Sequence, residues 1–134
     1  MVEIQSLKRI IDAAAKDLGV PVICFVDEVL RGTNTVERIA ASSAILENMS
    51  RMNALTFAAT HDIELTYLLE KDYMNYHFRE EMTDSGVEFS YKILEGPATT
   101  RNAIALLDNL GYDKEIIEKA KARAESFMKT GIWR

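Results

Sequence analysis

The chain has 134 residues, of which 48% are hydrophobic and 28% charged, with a formal net charge of -5. That is about one domain's length with enough apolar content for a core, and the acidic balance argues against a dominant nucleic-acid-binding surface. The lone cysteine excludes an internal disulfide and fits a reducing, cytoplasmic setting. No apolar stretch approaches the roughly 20 residues needed to span a membrane, and Glu3, Lys8 and Arg9 interrupt the first apolar residues in a way that argues against a secretory leader.

Ile4, Leu7, Ile10, Ile11, Ala14 and Leu18 recur at helical spacing and predict an amphipathic helix stopped by Gly19. After Pro21, the apolar run Val22-Ile23-Cys24-Phe25-Val26 predicts a buried strand that ends in Asp27-Glu28. Cys24 lies inside that run and reads as a small core residue. The segment Leu30-Arg31-Gly32-Thr33-Asn34-Thr35 is a loop, and Asn34 with Glu37 three residues on is a helix-start signal, with the helix running to about Ser50. Leu55 to Ala59 is a second short strand, ending in Thr60-His61-Asp62. Asp62 is placed to cap a helix from Ile63 to about Glu70.

The periodicity then changes. Tyr73 to Met82 and Val87 to Leu94 alternate, with Tyr76 and Phe78 on one face and Phe89, Tyr91 and Ile93 on another. The intervening Thr83-Asp84-Ser85-Gly86 predicts the turn of a β-hairpin. Beyond Gly96-Pro97, Ile104, Leu107 and Leu110 mark a short helix closed by Gly111. Asp113 then caps a last helix carrying Ile116, Ile117, Ala120, Ala124 and Phe127. The order is α-β-α-β-α-β-β-α-α, with the first two strands parallel because a helix joins them.

The ends of those two strands carry the candidate chemistry, since ligands of open α/β sheets bind at the C-terminal edge. An acidic pair delivered there suits a magnesium ion held through Asp27 and a water activated by Glu28. His61 would lie beside them and can hydrogen-bond a phosphate. Each feature also has a plainer reading. Asp27-Glu28 can be a solvated strand end, His61 a surface residue at a helix start, and Arg31 to Thr35 an ordinary connection. His77 and Arg79 share a face of a hairpin strand and carry no assigned chemistry. No phosphate-cradling GxxxxGK[ST] loop occurs in the chain.

Several segments together resemble the MutS mismatch-repair ATPases. Ile23-Cys24-Phe25-Val26-Asp27-Glu28-Val29-Leu30-Arg31-Gly32-Thr33-Asn34-Thr35 is similar to that family's Walker B strand and the loop D-E-I-G-R-G-T-S-T. Thr60 to Thr66 resembles its histidine-bearing segment. Asn75-Tyr76-His77-Phe78 and Phe89-Ser90-Tyr91-Lys92-Ile93-Leu94-Glu95-Gly96 resemble two of its later strands. Met1-Val2-Glu3 resembles the end of its S-T-F-M-V-E signature, and Asp113 to Ala122 its terminal helix. Leu30 stands where the family has Gly, Asn34 where it has Ser, and Arg101-Asn102-Ala103-Ile104 where it commonly has S-Y-G, a pattern that fits a divergent paralogue.

The resemblance implies an α/β fold: part of a P-loop NTPase sheet of the ABC/RecA-like type, with flanking helices, a hairpin and a helix-turn-helix-like C-terminal pair. Residues 1–95 would form the Walker B and switch-histidine core, and 96–134 a helical dimer-contact segment. It implies ATP and Mg2+ as ligands of a longer parent. Asp27 would hold magnesium through water, Glu28 would activate water, and His61 would sit near the γ-phosphate. Arg31, Gly32, Thr33, Asn34 and Thr35 would form a nucleotide-side loop at the interface of a homodimer. DNA would be gripped by other domains. Without a phosphate loop the isolated chain is expected to be inactive. Two other readings are a non-catalytic module whose C-terminal helices mediate self-association and a small magnesium-dependent hydrolase using Asp27, Glu28, His61 and Asp62 unaided.

Overall fold

A computed structural model describes residues 2–16, 19–83, 86–99 and 103–133. The elements are α1 (Val2–Ala14), β1 (Val22–Asp27), α2 (Thr35–Ser50), β2 (Ala54–Ala59), α3 (Ile63–Leu68), β3 (Tyr76–Thr83), β4 (Gly86–Glu95), α4 (Ala103–Asn109) and α5 (Lys114–Thr130). This is the predicted order. The chain divides into two compact units, 1–75 and 76–134.

In the first unit β1 and β2 pair in parallel, from Val22 opposite Ala54 to Asp27 opposite Ala59. Glu28 continues the ladder by one bond, donating its N–H to the Ala59 carbonyl at 2.9 Å. Helix α2 packs against both β2 and α3. Ser42, Leu46 and Met49 are its buried residues, at helical spacing. The core is Leu7, Val29, Leu46, Leu65 and Leu69, with Val26, Leu30, Ile39 and Tyr73 packed against it. Two side chains tie the loops down: the Tyr73 hydroxyl donates to Leu46 O at 2.9 Å, and the Asn75 amide donates to Thr66 O at 2.9 Å.

The Asn34 cap forms as its spacing predicts. Its side-chain oxygen accepts from the N–H groups of Val36 and Glu37, satisfying donors that no helical carbonyl can reach. Asn34→Ala is expected to cost about 1 kcal/mol, read as a lower urea midpoint with an unchanged slope.

The strands are not buried as the apolar run predicts. Cys24 is buried, but its neighbours Ile23 and Phe25 are 60% and 75% exposed, as are Leu55 and Phe57 on β2 at 55% and 51%. Among the described residues the sheet has two strands, with α1 against β1 and α2 against β2, and the face that carries Ile23, Phe25, Leu55 and Phe57 stays largely open. On the open face the Phe25 and Phe57 rings stack with centroids 5.1 Å apart.

Two helix boundaries also differ, and an expected cap bond does not form. Helix α1 ends at Ala14 rather than Gly19, and Leu18 lies outside the described residues. Helix α3 ends at Leu68 rather than Glu70. Asp113 precedes α5 but makes no side-chain cap bond.

The second unit holds an antiparallel hairpin and two helices. Asp84 and Ser85 of the expected turn, and Arg101 and Asn102, lie outside the described residues. The hairpin register shifts between Phe78 and Glu80, which oppose Ile93 and Phe89. Extra β4 residues therefore bulge out, and Tyr91 takes a left-handed φ of 53°. The bulge breaks the simple alternation of Phe89, Tyr91 and Ile93. Ile117 is buried, with Ala120, Ala124 and Phe127 half-buried along the same stripe of α5, as the periodicity predicts, whereas Ile116 of that set is exposed. Gly131 ends α5 in the left-handed conformation, with φ 69°, and donates to Phe127 O at 2.7 Å. The turn brings Trp133 onto Phe127 with ring centroids 4.2 Å apart.

Candidate functional site at the ends of β1 and β2

Parallel pairing brings the ends of β1 and β2 side by side, and the residues singled out there meet. The Glu28 backbone leaves the strand with a left-handed φ of 51°, which breaks the alternation of side chains along β1. Its carboxylate is only partly exposed and has two cationic or donor neighbours. His61 Nε2 lies 3.2 Å from Glu28 Oε1, and Arg31 Nε donates to Oε2 at 2.5 Å. Either a protonated imidazole or the neutral Nε2–H tautomer can supply the proton in the first contact. Both Glu28 oxygens are therefore engaged.

Asp27 is different. Its side chain is 81% exposed, and Arg31 Nη2 stands 3.7 Å from Oδ2, beyond hydrogen-bond length. Its oxygens remain open to a metal. Magnesium commonly uses one or two carboxylates and takes its other oxygens from water and phosphate. The donors here fit that pattern, and among the described residues no group of three His, Cys, Asp or Glu could cage a metal alone.

The loop after β1 contributes unequally. Arg31 bridges back to both carboxylates. Gly32, Thr33 and Thr35 are exposed, and Gly32 has a φ of 83°. The Asn34 side-chain oxygen is committed to capping α2. Leu30 also holds a positive φ, 60°, a conformation for which glycine is the usual choice. Leu30 keeps it while packing against the core. Behind the loop, the buried Ser42 hydroxyl reaches Val29 O at 3.4 Å and fixes the turn to α2.

Asp62 departs from expectation. It makes no side-chain cap to α3. Its carboxylate instead takes both prongs of Arg38: Nε to Oδ2 at 2.8 Å and Nη2 to Oδ1 at 2.5 Å. The hydrogen bond from Arg38 holds the Asp62 carboxyl below the usual carboxylate range, against the opposing effect of burial. The same bond raises Arg38. A depressed carboxyl in the folded state adds stability above its unfolded value and loses it as pH falls through the folded one. Urea midpoints followed downward from about pH 5 are therefore expected to fall more steeply for the native chain than for Asp62→Asn.

Glu28, Val29, Arg31, Arg38, Thr60, His61 and Asp62 line one small cleft of about 240 Å³. Thr60 shapes its far wall, its hydroxyl accepting the Asp62 N–H at 3.0 Å. Arg38 is the cleft residue that sequence reasoning missed. It lies within a helix, and its partner is 24 positions away. Cys24 is buried, and burial pushes its thiol up. His77 has Nδ1 2.9 Å from Gly96 O, both in the second unit. No helix among the described residues is long and apolar enough to cross a membrane.

The chain is similar to three proteins described as mismatch repair proteins. It is 29% identical to DNA mismatch repair protein MutS of Thermus thermophilus over 122 residues, 91% of this chain and 14% of that protein. It is 39% identical to MutS of Aquifex pyrophilus over 102 residues, 74% of this chain and 12% of that protein. It is 31% identical to DNA mismatch repair protein MutS 2 of Halobacterium salinarum over 124 residues, 90% of this chain and 14% of that protein. The chain thus spans about one-seventh of the relatives it matches. The strand-end site lies inside residues 1–128, which match the family model for MutS domain V, and with that span the chain belongs to the MutS domain V family.

Proposed function

We propose that this chain is the magnesium- and water-positioning part of a MutS-type ATPase, the C-terminal half of the P-loop domain in a protein that works on mismatched or otherwise structured DNA. The observation that carries this reading is the apposition of Glu28 and His61, 3.2 Å apart at the ends of adjacent parallel strands. It is supported by membership of the domain V family, whose domain V is the C-terminal ATPase domain.

The roles follow from the geometry. Asp27, exposed at the strand tip, holds magnesium, which neutralises phosphate charge when bound. Glu28 orients the attacking water and takes its proton. Each Glu28 oxygen has one such contact and keeps a second lone pair, so it can accept from water with Arg31 and His61 in place. Of those two contacts His61 is the more exposed, at 93% against 64% for Arg31, which starts the loop that faces the second ATPase domain of a homodimer. His61 turns from Glu28 toward the terminal phosphate. The phosphates themselves need a Lys and a backbone nest that the GxxxxGK[ST] loop supplies.

The test has two parts. The isolated chain is expected to show no micromolar affinity for Mg-ATP by titration calorimetry; such binding would contradict a missing phosphate cradle. The full polypeptide encoded around this segment is expected to hydrolyse ATP, and a polypeptide with an intact phosphate loop that shows no turnover sinks the proposal.

A second reading, a self-association module without catalysis, is favoured by the open apolar face of Ile23, Phe25, Leu55 and Phe57. Sedimentation velocity separates it: a strict monomer at high concentration counts against this reading.

A further inference from the structure

We propose that the Arg38–Asp62 ion pair is a positioning strap that holds the His61 segment against α2 and so keeps the imidazole across from Glu28. The His61 side chain is 93% exposed, so packing does not fix its place. Its neighbour Asp62 is held firmly. Both carboxylate oxygens are taken by the guanidinium fork, a geometry that restrains direction as well as distance. At 24% and 15% exposure, it is the best shielded ion pair among the described residues.

The strap adds a direct polar link between the first turns of α2 and the His61 segment to the packing of α2 on α3. Arg38 lies one turn into α2, where its N–H donates to Asn34 O at 2.8 Å. Asn34 in turn caps the helix and ends the Arg31–Asn34 loop. Asp62 leads into α3, and its carbonyl accepts from Leu65 N at 3.1 Å. A displacement of the loop that carries α2 with it therefore carries His61 as well. Arg38 and Asp62 touch no reacting atom in this scheme. They act through His61.

This inference rests on the reading of Glu28 and His61 as partners in one site, but its test needs no nucleotide. The His61 ring resonances of the whole chain are recorded by NMR at one fixed pH, with and without Glu28→Gln. In the native background, removing the Glu28 charge is expected to shift them. In Arg38→Gln and in Asp62→Asn that response is expected to fall by at least half. The exchanged pair Arg38→Asp with Asp62→Arg is expected to restore most of it. If either neutral variant does not fold, Arg38→Lys carries the same comparison, since it keeps the charge and loses the fork. Variants that are less stable but retain the full His61 response would overturn the proposal, leaving the pair a stabilising contact only. A native chain whose His61 ignores Glu28→Gln would overturn the shared geometry. Absent ATP turnover with an intact NMR response would overturn the ATPase reading alone.

Discussion

Glu28→Gln is expected to lower ATP turnover of the full polypeptide by about 10²–10⁴-fold while leaving ATP affinity nearly unchanged. Glutamine has the same shape, and its amide oxygen can still accept from Arg31 or His61, so the strand-end geometry survives. What it lacks is a basic oxygen to take a proton from water. A loss confined to kcat is the signature of an interaction made in the transition state. Steady-state turnover together with nucleotide affinity checks it. A fall in affinity as large as the fall in turnover would mean that Glu28 binds rather than activates. An unchanged turnover would remove Glu28 from the chemistry.

The largest stability effect is expected at Met49. It is completely buried, on the inner side of α2 three residues beyond the core Leu46. Truncation to alanine removes its transfer free energy and leaves a cavity, and such changes cost about 2–5 kcal/mol. Domains of this size are held by about 5–15 kcal/mol in total. The loss is thus a large fraction of the whole, and few apolar side chains are buried among the described residues to absorb it. Urea unfolding followed by far-ultraviolet circular dichroism gives the value. Met49→Leu, close in volume, is expected to cost less than about 1.5 kcal/mol, and equal losses in both variants would contradict a cavity as the cause.

Local patterns carried most of the fold. The element order follows from apolar spacing, and the parallel pairing of β1 and β2 from the helix between them. The Asn34 cap was legible because donor and acceptor lie within three residues. Asp62 has the same local signature but a different outcome. A long-range guanidinium outcompetes the N–H groups of a six-residue helix, and no short window of sequence contains both partners. The strand burial was misread for a related reason. A continuous apolar run describes a strand covered on both faces, whereas this sheet is covered on one. The hairpin bulge at Tyr91 was hidden by an alternation that looks regular in one strand and fails only in register with the other.

The site was legible in part. Asp27, Glu28 and His61 were placed together by topology alone, and the structure puts Glu28 and His61 within contact. The grip of Arg31 on Glu28 was not visible, because it depends on the left-handed turn at Glu28 and Leu30. The resemblance held one hint, a glycine in the family pattern where this chain has Leu30.

The open face of the β1–β2 sheet has a calorimetric consequence. Unfolding raises heat capacity in proportion to apolar surface newly wetted, typically by about 12–15 cal/mol/K per residue. Ile23, Phe25, Leu55 and Phe57 are already wetted in the folded chain. Its heat-capacity increment per residue is therefore expected to fall below that range. A correspondingly flatter stability curve is expected, and scanning calorimetry checks it.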